Sequence, residues 1–374
     1  MNDSPTILLA GGGTGGHLYP GISVALALKE VWPEVRPLFL CTTREIDRII
    51  LEPTGFEFIP QPIVPPVRSI SGLLRFWRSW RETKDLVRQL LRKNRPVAAL
   101  GLGGYAAGVA IKYAAHKGIP TAILNPDVIP GKANKYLAKY VQALCCQYEQ
   151  SRRHLSADHQ PKIRITGCPV RPDILTLPNR AEASARLGID PRLLTLTITG
   201  ASQGAQTVND AILALADQIN LQGWQILHLA GRDHAAAVTT TYRQRALQAR
   251  VIDFTPAMAD VWSVTDLAIC RSGASTCAEL TVCGIPSILM PYPYHKDMHQ
   301  RANAKTLADA GAALLLDDEK DAAKNAAKLR PLLEPLLRDA SKRSAMATAA
   351  KNLAKPDAAA QVAAVLRQLA ESWR

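Results

Sequence analysis

Short, wholly apolar runs alternate along this chain with longer stretches whose apolar positions recur every three to four residues. The runs predict strands at residues 6–10, 37–41, 97–100, 121–124 and 141–145, then at 194–199, 224–229, 251–254, 267–270, 287–290 and 313–316. They are apolar on every position rather than every second one, as strands buried on both faces are. Strands alternating with helices predict parallel sheets wrapped by helices. The plan occurs twice, and each series opens with a strand that runs into a glycine-rich loop. The expectation is therefore an α/β chain of two Rossmann-like, doubly wound domains, at 1–168 and 169–355, joined near Gly167-Cys168-Pro169. An alanine-rich final helix over 356–374 is free to pack back on the first half.

Length agrees, because 374 residues exceed one ordinary domain and fit two of about 150–200. The seven cysteines are odd in number and form no C-x-x-C pair, so they read as reduced, buried thiols of a cytosolic protein. The N-terminus has no basic segment followed by a long apolar one, and no signal peptide is expected. No apolar run reaches the roughly 20 residues that a membrane span needs. The net charge of +13 nevertheless calls for an anionic partner.

The first glycine loop, Gly11-Gly12-Gly13-Thr14-Gly15-Gly16, matches G-x-G-x-x-G; the second is Gly200-Ala201-Ser202-Gln203-Gly204. Such turns bring backbone N–H groups and a helix N-terminus to negative charge. A dinucleotide dehydrogenase would end its second strand on an acid, but Cys41-Thr42-Thr43 stands there. Neither loop continues into G-K-[ST]. His17 follows the first loop directly, where a neutral imidazole can orient or deprotonate a hydroxyl.

The run from Cys270 to Glu279 is again strand, small-residue turn and helix. Main-chain groups at Ser272, Gly273 and Ala274 suit a phosphate, and Glu279, two turns on, suits the two hydroxyls of a ribose. A helix glutamate is ordinarily just solvated. Residues 291–303 add many polar groups after an apolar strand, the place where open α/β sheets bind ligands. No D-x-D and no H-E-x-x-H occurs, so no metal is expected, and a diphosphate leaving group would rely on helix N-termini, hydroxyls and cations.

Taken together, Gly12-Gly13-Thr14-Gly15-Gly16-His17-Leu18-Tyr19-Pro20-Gly21, Gly101-Leu102-Gly103-Gly104-Tyr105, Pro130-Gly131-Lys132-Ala133-Asn134-Lys135, Gly167-Cys168-Pro169-Val170-Arg171, the second glycine loop and Arg271-Ser272-Gly273-Ala274 resemble, in order and over nearly the whole chain, the MurG family of peptidoglycan N-acetylglucosaminyltransferases (glycosyltransferase family 28). The resemblance implies a GT-B fold with the active site in the cleft between two domains. It implies inverting, metal-independent transfer from UDP-N-acetylglucosamine to a polyprenyl-diphosphate-linked muramoyl-pentapeptide, with no cofactor, at the cytoplasmic face of the inner membrane. By position it places Thr14, Gly15, Gly16, Arg171, Ser202, Gln203 and Gly204 along the donor. Main-chain groups at Phe254 and Thr255 read the uracil, Glu279 holds the ribose, and His299, Gln300 and Asn303 contact the sugar. Gly13, Tyr105 and Asn134 fall on the acceptor side with His17.

The sequence also departs from the family. His-Glu-Gln-Asn is replaced by Leu124-Asn125-Pro126-Asp127, Cys168 stands for an asparagine, and the early acidic position is Asp47. Asp127 is a second candidate base, or a simple turn residue beside Pro126. The change keeps another lipid acceptor, such as diacylglycerol, as an alternative. A UDP-sugar epimerase of similar fold and a non-enzymatic membrane-surface protein are the others.

Residues 68–95 hold nine Lys or Arg against Glu82 and Asp85. Leu73, Phe76, Trp77 and Trp80 interleave with Arg75, Arg78 and Arg81, and Leu73, Trp77 and Trp80 are spaced to share a helix face. A basic amphipathic helix with tryptophan reads as an anionic-membrane surface; a core-facing helix with a charged back is the commoner origin of such a stripe. The charge sits in one segment and no nucleic-acid module is present, so nucleic acid is not an expected partner.

Overall fold

The computed structural model describes residues 4–67, 69–200, 204–294 and 296–372. It divides the chain into two compact units, one running to Arg171 and resuming at Lys355, the other spanning Pro172–Ala354.

The first unit holds seven strands: β1 (Thr6–Ala10), β2 (Arg36–Thr42), β3 (Glu57–Gln61), β4 (Ala98–Gly101), β5 (Thr121–Asn125), β6 (Ala143–Cys146) and β7 (Ile163–Ile165). Their order is β3-β2-β1-β4-β5-β6-β7, every pair parallel. Alternate side chains of β1 serve opposite faces. Ile7 and Leu9 pack with Leu18 and Leu28 of the helix Gly15–Val31. Leu8 and Ala10 pack with Val87 and Leu90 of the helix Ile70–Asn94 and with the helix Gly108–His116. The last helix, Ala358–Glu371, belongs to this unit, and its Val362 and Leu366 are wholly buried in the first of those clusters. Burial of two such side chains contributes roughly 4 kcal/mol.

The second unit holds β8 (Leu194–Thr199), β9 (Trp224–Leu229), β10 (Ala249–Ile252), β11 (Leu267–Cys270), β12 (Ser287–Leu289) and β13 (Ala313–Leu315). They form a second all-parallel sheet, ordered β10-β9-β8-β11-β12-β13. All eleven predicted strands are present, and β3 and β7 join them at the edges of the first sheet. The strand expected at 251–254 lies earlier, because Asp253 Oδ1 accepts from the Phe254 N–H and turns the chain there.

The seven cysteines are all free and six are buried. Among the described residues no helix is long and apolar enough to cross a membrane.

Candidate functional site

In the first unit the glycine loop is built around a buried carboxylate. Asp47 is fully buried and accepts from the Gly13 N–H at 2.7 and 2.9 Å and from the Thr42 N–H and Oγ1–H, each at 2.8 Å. A Cβ on Gly12 would lie 2.2 Å from Asp47 Oδ2, so only glycine fits. The Arg44 guanidinium donates to the Gly13 carbonyl at 3.1 Å. Gly13 thus gives its N–H to a carboxylate of the protein, and cannot also offer it to a phosphate. The loop's opening instead faces His17 at the start of the helix Gly15–Val31.

His17 is half-buried, and its ring lies on the backbone of Gly103 and Gly104, where added Cβ atoms would come within 3.1 and 3.0 Å of it. Both glycines have positive φ, 109° and 69°. The Gly-Leu-Gly-Gly-Tyr run therefore makes a floor for an imidazole. His17 Nδ1 is 3.2 Å from the Gly12 carbonyl and from Thr14 Oγ1. A carbonyl only accepts, so Nδ1 carries the proton and Nε2 keeps the lone pair. Burial pushes this imidazole below its ordinary value. The bond to Gly12 and the charges of Asp127 and Asp47 offset only part of that.

Asp127 follows β5 in a turn held from inside. Buried Asn125 donates to the Asp127 carbonyl at 3.0 Å, Ser151 Oγ donates to it at 3.3 Å, and Asn125 Oδ1 accepts from Asn134 at 3.2 Å. The Asn134 amide is buried and also donates to the Leu124 carbonyl at 2.8 Å. With these two bonds it braces the 124–127 turn. Tyr105 Oη lies 3.7 Å from the Cβ position of Gly13, beside the loop. Arg171 stacks on the Tyr19 ring at 4.7 Å. The structure thus gathers Gly13, Thr14, His17, Tyr105 and Asp127 around one loop.

In the second unit, Ala201, Ser202 and Gln203 lie outside the described residues. Gly204 has φ +71°, and a Cβ there would meet the Ala230 carbonyl at 2.4 Å. That carbonyl is held from behind by Asn209, which donates to it at 3.0 Å and accepts from His228 Nε2 at 2.9 Å. His228 Nδ1 accepts from Tyr242 Oη at 2.9 Å, and burial pushes this histidine down to about 3. Phe254 and Thr255 stand past the end of β10, with the Arg232 guanidinium 5.5 Å from the Phe254 ring.

The 271–274 turn is pinned on both sides. Ser272 is fully buried; its Oγ donates to the Gln300 carbonyl at 2.8 Å, and its own carbonyl accepts from Asn303 at 3.2 Å. Asn303 is also fully buried, and its bond to Ser272 braces this turn. Gln300 accepts from the Tyr292 N–H at 2.9 Å, and His299 Nδ1 lies 2.7 Å from Asp297. Arg271 is tied into the floor by Asp318 and the Met290 carbonyl, at 2.8 and 2.9 Å, and by Thr207 at 2.7 Å. These bonds fix Gly273 as N-cap of the helix Ala274–Cys283, whose first N–H groups have no partner within the helix and lie at the positive end of its dipole. Glu279 on this helix accepts from Trp262 Nε1 at 2.7 Å. Arg44, Asp318 and Trp262 escaped the sequence reading, since each acts through a neighbour and carries no motif of its own. Among the described residues no group of three or more His, Cys, Asp or Glu is arranged to hold a metal.

The basic helix Ile70–Asn94 divides the expected membrane residues. Leu73 and Trp77 are exposed, at 46% and 58%, together with Ile70 and Leu74. Phe76 and Trp80 instead pack on the core, the Trp80 ring 3.6 Å from the Cβ position of Gly108. The 3.6-residue turn carries Trp80 inward while Trp77 stays out, although the two rings remain 6.4 Å apart.

Two parallel-sheet domains, each with a glycine loop after its first strand, are the GT-B architecture of nucleotide-sugar glycosyltransferases. The chain belongs to glycosyltransferase family 28: residues 7–145 match the N-terminal domain of that family and residues 195–362 its C-terminal domain. It is 32% identical over 370 residues to the UDP-N-acetylglucosamine--N-acetylmuramyl-(pentapeptide) pyrophosphoryl-undecaprenol N-acetylglucosamine transferase of Bacillus cytotoxicus, covering 97% of this chain and 99% of that one. The enzyme of the same name from Halothermothrix orenii is 33% identical, over 84% of this chain and 86% of its own. In fold, the chain resembles MurG of Acinetobacter baumannii, with a TM-score of 0.75, 23% identity and coverage of 97% and 99%. It also resembles the UDP-GlcNAc 2-epimerase of Neisseria meningitidis, with a TM-score of 0.73, 15% identity and coverage of 97% and 100%.

Proposed function

We propose that this protein transfers N-acetylglucosamine from UDP-N-acetylglucosamine to a polyprenyl-diphosphate-linked muramoyl-pentapeptide, with inversion and without a metal. The observation that carries the proposal is the match, nearly end to end, with transferases whose name states this reaction. The acceptor hydroxyl attacks the anomeric carbon, the bond from that carbon to the diphosphate oxygen breaks, and its electron pair leaves with UDP. The hydroxyl proton passes to His17 Nε2, whose lone pair follows from the Nδ1 bond to Gly12. Asp127, whose charge opposes the desolvation of His17, stabilises the imidazolium that forms. The N-terminus of the helix Ala274–Cys283 takes the growing charge on UDP. Glu279 holds the ribose, Phe254 and Thr255 the base, and Arg171 and the second glycine loop the diphosphate.

The exposed Ile70, Leu73, Leu74 and Trp77, set among Arg75, Arg78 and Arg81, rest on the anionic surface of the membrane that carries the acceptor. The protein is then peripheral, at the cytoplasmic face. The test is transfer of labelled N-acetylglucosamine to a muramoyl-pentapeptide lipid analogue in the presence of EDTA. Label in the lipid supports both the acceptor and the metal-free chemistry. No transfer with UDP binding intact refutes this acceptor in favour of another lipid, the alternative that the altered 124–127 turn keeps open. Conversion of the donor alone points to an epimerase.

A further inference from the structure

Trp262 lies in the helix Met258–Val264, which follows the loop holding Phe254 and Thr255. It is 2% exposed, yet its one polar atom is not wasted in the core: Nε1 donates to Glu279 Oε2 at 2.7 Å, the short distance of a bond to a charged acceptor. Glutamate has three rotatable side-chain bonds, and ordering them on binding opposes affinity. An indole clamped by the core removes that freedom beforehand. It takes one of the roughly four lone-pair sites of the carboxylate. The indole N–H only donates, so the carboxylate meets it as an acceptor.

We infer that Trp262 is a positioning residue for nucleotide recognition: its N–H presets the Glu279 carboxylate, and with it the discrimination of ribose from deoxyribose in the donor. The inference rests on the reading of Glu279 as the ribose ligand. It links the ribose-side helix to the helix that follows the base-side loop, because the Trp262 N–H reaches from one to the other.

The test compares binding of UDP and 2′-deoxy-UDP by calorimetry, with thermal melting as a check on folding, for the wild type, Trp262→Phe and Glu279→Ala. Glu279→Ala is expected to abolish most of the preference for UDP. Trp262→Phe is expected to weaken UDP on the order of tenfold, to leave 2′-deoxy-UDP much less affected, and to raise the KM for UDP-N-acetylglucosamine without changing kcat. A loss of packing alone would lower the melting temperature and leave the ratio of the two ligands unmoved. If Glu279→Ala removes the preference and Trp262→Phe does not, the inference falls and the ribose reading stands. If Glu279→Ala leaves the preference intact, both fall. Should Trp262→Phe fail to fold, benzothienylalanine placed at 262 keeps the ring shape, replaces N–H by sulfur and gives the same readout.

Discussion

Replacing Asp47 by asparagine tests how the first glycine loop is held. Oδ2 takes three of the four contacts, from the Gly13 N–H and from both donors of Thr42, while Oδ1 takes the second contact from Gly13. The best placement of an asparagine keeps its oxygen at the Oδ2 position. Its NH2 group then faces the Gly13 N–H, donor against donor, in a site with no water-exposed surface. One charge-assisted hydrogen bond is lost and the survivors become neutral ones. At about 1.5–3 kcal/mol for a bond to a charged group, the expected cost is about 3 kcal/mol. The loop relaxes by moving Gly12 and Gly13, and the Gly12 carbonyl is the partner of His17 Nδ1. Misplacing a base by about 1 Å costs on the order of a hundredfold in rate. Urea titration reads the first effect and kcat in the transfer assay the second. A loss below about 1 kcal/mol with an unchanged kcat would refute the view that this carboxylate shapes the loop.

Gly104→Ala sets a side chain against the His17 ring at φ +69° and ψ −178°, a conformation kept for glycine; it should cost about 1–3 kcal/mol of backbone strain and lower kcat far more than it raises the donor KM. Because burial holds His17 below the ordinary imidazole value, the acidic limb of the pH–rate profile should lie below 6.5; a limb at or above it would exclude His17 as the base. His228 stays neutral in the folded protein down to about 3, whereas in the unfolded chain it takes a proton near 6.5. Its contribution is therefore complete above that pH and is lost as pH falls, by about 2 kcal/mol at pH 5. Urea midpoints from pH 7 to 5 should show this slope, and His228→Gln should flatten it. Trp77→Ala should change stability by less than about 0.5 kcal/mol and release the protein from anionic vesicles, while Trp80→Ala should cost about 3 kcal/mol through lost packing.

The central strands were legible because burial on both faces leaves only apolar residues there. The edges were not. β3 is the five residues Glu-Phe-Ile-Pro-Gln and β7 the three residues Ile-Arg-Ile, too polar or too short to stand out, and a proline is tolerated at an edge. For the site, motifs pointed to the loops but not to what a side chain does within them. Ser272 and Asn134 sit in family motifs and Asn303 among the polar residues after β12, and the Ser272 hydroxyl and both asparagine NH2 groups donate to main-chain carbonyls that hold turns in place. A helical stripe likewise told that aromatics share one region, and not that Trp80 is inside and Trp77 outside. That distinction depends on the helix Gly108–His116, brought alongside from further along the chain.

The return of the helix Ala358–Glu371 to the first unit sets an order of assembly. The second unit is one uninterrupted stretch, Pro172–Ala354, and has everything it needs as soon as that stretch has emerged from the ribosome. The unit that is started first is finished last, since its sheet keeps one face partly bare until Val362 and Leu366 have been made. Throughout that interval the nascent chain carries an open apolar surface, so a stop codon near residue 355 would spoil the N-terminal half and leave the later-made half able to fold.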